Sequence, residues 1–278
     1  MAKRVIGLVP AAGQGTRISP LPMSKELFPI GFQTMGDRPG LRPKVVCQYL
    51  LEKMRLAGIT EAILILRPGK WDIPAYLGDG AQLQMHLAYL TVHVPFGVPF
   101  SLNQAYPFIQ DAIVATGFPD ILFHPDHAYQ ALLNHLNQSD ADVVLGVFPT
   151  DQPEKVGVVD WDASGRVSQI IEKSPHTTLR HMWAIAVWQP TFTHFLHNFI
   201  QARQQEWIGD QVPQLMSALP SQTEIPIGDV IQAAIHAGLR VEAEVFDDGT
   251  YLDIGTSENL MTAVHQSITE IQPGSSGS

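Results

Sequence analysis

The chain holds a single cysteine, Cys47, in 278 residues. That excludes an intramolecular disulfide and any cysteine-rich zinc site. Its place in the apolar spacing of a helix marks Cys47 as a buried structural thiol. Basic residues are also scarce. Seventeen Lys and Arg against 27 Asp and Glu leave a net charge of −10, which argues against nucleic acid or an anionic membrane as general partners. No apolar run approaches the length of a membrane span. The opening Met1-Ala2-Lys3-Arg4 has the charge of a secretory leader, but the VIGLV that follows is cut short by Pro10. These readings predict a cytoplasmic protein. At 45% hydrophobic and 16% charged residues, the composition is that of an ordinary globule with room for a sizeable core.

Helical and strand patterns alternate through the first half, which predicts a mainly parallel sheet covered on both faces. Residues 5–9, 62–66, 121–123, 143–147, 182–188, 241–245 and 251–253 read as strands. Residues 45–57, 129–136, 191–203, 230–237 and 257–271 read as helices, with Gly58 as a C-terminal stop and Ser257 as a cap. Residues 156–161 and 167–171 flank Asp162-Ala163-Ser164-Gly165, a hairpin turn sequence. The expected architecture is one α/β domain over residues 1–271. It is a Rossmann-like three-layer sandwich with a twisted, mostly parallel sheet and a small additional lobe. The QPGSSGS tail, residues 272–278, has linker composition and is expected to be disordered. Residues 31–41, with three glycines and no apolar period, read as a mobile loop.

A Gly-x-Gly after the first strand raises a dinucleotide-binding reading, but the third glycine and the immediate helix are missing. Pro20 and Pro22 stand where that helix would start. The stretch VPAAGQGTRISPLPMSKELFPI, residues 9–30, instead holds Gly13 and Gly15, then Thr16, Arg17 and, after an extended run, Lys25. Small residues let backbone N–H groups close around phosphate oxygens, and two cations return to the same place. A loop wrapping a nucleotide explains the pattern better.

At these residues the chain resembles the sugar-1-phosphate nucleotidylyltransferases, whose signature is G-x-G-T-R followed, after roughly seven to ten residues, by a lysine and L-x-P-I. Ser24-Lys25-Glu26-Leu27-Phe28-Pro29-Ile30 looks most like the glucose-1-phosphate thymidylyltransferases, and Pro10-Ala11-Ala12-Gly13 like the uridylyl enzymes. The resemblance implies nucleotide binding by Ala12, Gly13, Gly15 and Thr16, with Arg17 and Lys25 catalytic. His124-Pro125-Asp126-His127 follows a strand end, where ligands gather in open α/β sheets. Asp126 is taken as the counterpart of the aspartate in the family's L-G-D or L-P-D, and Tyr251-Leu252-Asp253-Ile254-Gly255-Thr256 as that of W-L-D-x-G-T. Together Asp126 and Asp253 would hold Mg²⁺, a hard ion that bridges phosphates. A zinc site at His124, Asp126 and His127 remains an alternative.

Three further stretches extend the resemblance. Glu172-Lys173 matches E-K-P, which implies that Glu172 bonds sugar hydroxyls and that Lys173 contacts the sugar phosphate as a third catalytic cation. Gly157 matches the glycine of Y-G-V-V, where the sugar approaches the backbone. Ser101-Leu102-Asn103-Gln104-Ala105 resembles G-L-A-Q-A at a helix start, which implies a nucleotide contact from Gln104. Ser101, Val156, Ser174 and Ile185 depart from the pattern, and Ile185 is expected to reshape the sugar pocket.

The implied activity makes an NDP-sugar and pyrophosphate from an NTP and a sugar 1-phosphate, dTTP or UTP and glucose 1-phosphate being favoured. The expected partners are those two substrates, with no nucleic acid or membrane and with a homo-oligomer compatible. The chain shows no counterpart of the helical extension or hexapeptide-repeat domain of larger relatives, so a regulatory site built on one is not expected. Two rivals stand beside this reading. One is a glycosyltransferase on a similar sheet, which usually carries Asp-x-Asp. The other is a non-catalytic regulatory homologue that binds nucleotide sugars.

Overall fold

The computed structural model describes residues 3–35, 38–93, 96–208 and 224–271, so the expectation for residues 272–278 lies outside the described residues. The chain runs through β1 (Val5–Pro10), β2 (Pro29–Met35), β3 (Arg38–Val45), α1 (Val46–Leu56), β4 (Glu61–Leu66), α2 (Asp72–Leu77) and β5 (His86–Thr91). It continues with α3 (Val98–Asn103), α4 (Tyr106–Ile109), β6 (Ile113–Gly117), β7 (Ile121–His124), α5 (Ala128–Gln138) and β8 (Val143–Pro149). The remainder comprises β9 (Gly157–Trp161), β10 (Val167–Glu172), β11 (His181–Trp188), α6 (Pro190–Ile208), α7 (Ile227–His236), β12 (Val241–Val245), β13 (Thr250–Asp253) and α8 (Ser257–Ile271).

Strand β1 is central because nearly every side chain in it is apolar and buried, as a strand covered on both faces requires. It pairs in parallel with β4 (Leu8↔Ile63) and with β6 (Ile6↔Val114), and β5 extends the sheet beyond β4. Antiparallel β11 joins this block to the parallel pair β8–β12. The β9–β10 hairpin turns at Gly165, whose φ of 83° suits glycine, and hangs from β11 through the pair Met182↔Val158.

Alternation along β8 shows how the layers form. Val143, Leu145 and Val147 meet Phe192 and Leu196 of α6 and Val230 of α7, while Val144 and Phe148 share the opposite core with Leu50 and Met54 of α1 and Leu132 of α5. Full burial of each such side chain contributes roughly 1.5–3 kcal/mol. These layers fix the carboxyl ends of β1, β4, β6 and β8 along one edge.

Four local expectations are corrected. Residues 31–41 lie largely within an antiparallel hairpin, β2–β3, whose pairs include Phe32↔Pro43 and Thr34↔Leu41. The helix-opening side-chain bond at α8 comes from Thr256, whose Oγ1 accepts from the Asn259 N–H at 3.3 Å, rather than from Ser257. The run between Gly15 and Lys25 is interrupted by one 3₁₀ turn at Thr16–Ile18. Finally, Ile185 does not face a ligand pocket. The β11–β8 ladder shifts register between Trp183 and Ile185, and such a bulge breaks the two-residue alternation. Ile185 is therefore 1% exposed in the α1–α5 core, wedged against Gly117 and Gly146, and Trp183 lies on the opposite face.

Candidate active site

The glycine loop is built around the Lys25 side chain. A Cβ on Gly15 would lie 3.5 Å from Lys25 Cδ, and one on Gly13 would lie 4.0 Å from its Nζ. Gly15 has a φ of 66°, which a larger side chain resists. Ala12 is buried at the loop's start, and Thr16 opens the short turn that carries Arg17. Lys25 itself opens a second 3₁₀ turn, Lys25–Leu27. That turn is fixed from behind. The Ser24 N–H and hydroxyl each donate to Asp72 at 2.7 Å, and Lys70 donates to Glu26 at 2.6 Å. Burial outweighs attraction within this last pair, so the Glu26 carboxyl is pushed up and the Lys70 ammonium down.

Two ion pairs meet at the carboxyl edge of the sheet. Lys25 bonds Asp120, with both side chains 14% exposed. Arg17 Nη2 lies 3.5 Å from Asp253 Oδ2. Burial works against the Lys25 ammonium, yet the charge and hydrogen bond of Asp120, with Glu26 and Asp253 behind, hold its proton affinity above that of an ordinary lysine. The β13–β7 ladder pairs Asp253 with Ile121, and the Ile254 N–H donates to the Asp120 carbonyl at 3.0 Å. Asp253 Oδ1 accepts the Gly255 N–H at 2.7 Å. A Cβ on Gly255 would sit 2.6 Å from Arg17 Nη2, so a larger residue there would displace the guanidinium from its place beside Asp253.

Asp126 does not join this group. It lies past the His124↔Thr250 end of the β7–β13 ladder, three residue steps or roughly 10 Å from the Ile121↔Asp253 end. It pairs with Lys53 of α1, and that hydrogen bond outweighs partial burial to hold its carboxyl below the usual range. The carboxylate that meets Lys25 and Asp253 is Asp120. Its signal was present in the sequence, because Phe118-Pro119-Asp120 matches the Pro-Asp of L-P-D, with phenylalanine for leucine, and follows β6, a main-sheet strand. His124 and His127 are exposed. Among the described residues no three His, Cys, Asp or Glu side chains are grouped to hold a metal. Asp120 and Asp253, the carboxylates paired with Lys25 and Arg17, are the donor type Mg²⁺ takes, one or two carboxylates beside substrate phosphates.

The Ser101–Ala105 stretch ends a helix instead of beginning one. Pro99 starts α3 early, Ser101 is buried, and Gln104 is exposed just beyond the helix's end. Gln104 is not brought to the ion pairs by any described contact. The lobe residues do assemble. Gly157 begins β9 opposite Glu172, the last residue of β10. A Cβ on Gly157 would lie 2.7 Å from Glu172 Oε1. Lys173 follows in a left-handed conformation, φ 47°. Burial first, then the charge of Asp229, raises the Glu172 carboxyl above its usual range, and Lys173 and the Gly228 N–H offset only part. A cleft lined by Arg17, Asp253, Thr150, Lys155, Arg180 and Tyr251 reaches Val156, the residue before Gly157.

The family profile described as nucleotidyl transferase matches residues 6–270. The glycan-biosynthesis nucleotidyltransferase Agl11 of Haloferax volcanii is 24% identical over 260 residues, 92% of this chain and 64% of Agl11. A glucose-1-phosphate thymidylyltransferase of Xanthomonas campestris is 32% identical over 176 residues, 60% of this chain and 54% of that enzyme. The chain thus spans under two thirds of the length of either. One from Mycolicibacterium smegmatis is 27% identical over 263 residues, 92% of this chain and 80% of that enzyme. The UTP-bound UGPase of Acinetobacter baumannii shares the fold, with a TM-score of 0.71, 18% identity and coverage of 96% and 94% of the two chains. A match from residue 6 to residue 270, on a fold common to these enzymes, makes this chain a member of the nucleotidyl transferase family.

Proposed function

We propose that the chain transfers a nucleotidyl group from an NTP to a sugar 1-phosphate, yielding an NDP-sugar and pyrophosphate. UTP or dTTP and glucose 1-phosphate are the favoured substrates, on the motif resemblance and the names of the relatives. The observation that carries the reading is the meeting of Lys25–Asp120 and Arg17–Asp253 at the mouth of the glycine loop.

The reaction joins two anions, so charge neutralisation and positioning govern its barrier. Gly13 and Gly15 keep the loop backbone open to phosphate oxygens, with Thr16 and Ala12 shaping its ends. Lys25 and Arg17 stabilise the pyrophosphate as it leaves. Lys173 holds the phosphate of the incoming sugar, while Glu172 accepts hydroxyl hydrogens from its ring above Gly157. Asp120 and Asp253 would hold Mg²⁺, which supplies positive charge at the reacting phosphate. The attacking phosphate oxygen is already ionised at neutral pH, so no side chain need remove a proton. These are dissolved substrates, which suits a cytoplasmic enzyme.

The test is pyrophosphate release over a grid of nucleoside triphosphates and sugar 1-phosphates. Release that requires both a triphosphate and a sugar 1-phosphate supports the reading. Binding of nucleotide sugars without release from any pair contradicts it.

A further inference from the structure

The β2–β3 hairpin is built inside out. Cross-strand partners share a face, so the pairs Gly31↔Lys44, Phe32↔Pro43, Gln33↔Arg42 and Thr34↔Leu41 divide it into two sides. One side holds Gly31, Gln33, Arg42 and Lys44, and it turns toward the molecule. Gly31 is buried, and α8 packs along β2. The Lys44 ammonium pairs with Glu52 and lies 3.9 Å from the centre of the Tyr49 ring on α1. The other side holds Phe32, Thr34, Leu41 and Pro43, all exposed, with Phe32 at 50% and Leu41 at 51%. An antiparallel sheet with one face on a core normally sends apolar side chains inward and polar ones to water. Here the order is reversed.

Phe32 and Leu41 are diagonal neighbours across the ladder, close enough to form one apolar patch. Two strands alone are marginal in water, and such a patch on them marks an interaction surface. None of the groups proposed for the reaction lies on this arm. Its charge points to what covers it. Residues 31–45 carry Arg38, Arg42 and Lys44 against Asp37 alone, so the arm is positive in a chain whose net charge is −10. The rest of the chain is therefore more acidic still, and an acidic protein surface is the complement that suits the arm. An anionic membrane would attract the arm but repel the acidic body behind it, and two large apolar side chains make a small anchor.

We propose that the β2–β3 arm is a dimer contact, its outward face docking on the acidic body of a second copy of this chain. Closed two-fold symmetry makes the exchange reciprocal, each arm lying on the other copy. Phe32 and Leu41 supply the apolar anchor, Thr34 and Pro43 widen it, and exposed Arg42 at its edge meets carboxylates of the second copy. The contact is independent of the proposed reaction.

The test is sedimentation equilibrium of the full chain at about 1–100 μM, with the melting temperature of each protein recorded in parallel. Wild type should dimerise. Both anchors are exposed, so Phe32→Ser combined with Leu41→Ser should melt near wild type. It should nevertheless weaken the dimer about a hundredfold, at about tenfold for each central apolar anchor lost. Arg42→Glu should weaken it about tenfold at low salt and less at high salt, as an exposed charge contact requires. Should the double variant melt far below wild type, Arg42→Glu decides alone. A wild-type chain that stays monomeric throughout, or an oligomer of unchanged affinity in the folded double variant, overturns the proposal. So does a monomeric wild type that cosediments with phosphatidylserine–phosphatidylcholine vesicles, because the arm would then be a membrane contact.

Discussion

Replacing Lys25 with alanine removes the cation around which the glycine loop is folded. The magnitude follows from its surroundings. Lys25 and Asp120 are each 14% exposed, so water replaces little of what the pair loses. One preorganised charge contact at a phosphoryl centre typically contributes about 3–4 kcal/mol to the transition state, so turnover should fall roughly 10²–10³-fold. Folding should suffer less. The variant leaves Asp120 without its partner, at a cost of about 1–3 kcal/mol, but Ser24–Asp72 and Lys70–Glu26 still hold the turn. Pyrophosphate release, measured at saturating substrates on protein whose melting is recorded in parallel, separates the two effects. A variant that melts several degrees lower while turning over at near-normal rate would refute the reasoning, because Lys25 would then be only a structural ion pair.

Gly228→Ala places a methyl group 2.0 Å from Glu172 Oε1, so KM for the sugar 1-phosphate should rise about tenfold or more with KM for the nucleotide little changed. Titration kinetics in each substrate check this. His135 on α5 lies 2.8 Å from Glu242 and 2.7 Å from Glu244 on β12. Burial opposes its charge, but the two hydrogen bonds win and raise its proton affinity, while the Glu242 carboxyl is lowered despite burial. The stabilisation is therefore fully present below the ordinary histidine value of about 6.5 and is lost as pH rises through the raised one. At the acid end it fades as pH falls below the ordinary glutamate value of about 4.3. The melting-temperature gap between wild type and His135→Gln should be widest near pH 5–6 and shrink by pH 9; a gap independent of pH contradicts the linkage.

Much of this was legible in the sequence, for physical reasons that also mark where legibility stopped. β1, α1 with Gly58 behind it, and the β9–β10 turn at Gly165 are governed by local periodicity and by glycine's freedom at positive φ. Strand β6 was missed because IVATG is short and half small residues, and β7, with the bulkier ILFH, drew attention to Asp126 in its place. That shift of six residues moved the carboxylate to the far end of a ladder. Trp183 and Ile185 exchanged faces through a bulge, and a register slip of that kind has no single-strand signature. The Lys70–Glu26 pair joins residues 44 apart, so only the folded chain shows it. The β2–β3 hairpin was hidden by glycines that read as loop.

The side-by-side turnover of Asp120→Asn and Asp126→Asn tests the central claim most directly, because one carboxylate stands with Lys25 and Asp253 and the other with Lys53. Asp120→Asn should lose at least about a hundredfold in pyrophosphate release, and Asp126→Asn, whose partly exposed pair contributes little, should stay within about threefold of wild type. A full-rate Asp120→Asn beside an inactive, folded Asp126→Asn would contradict the account.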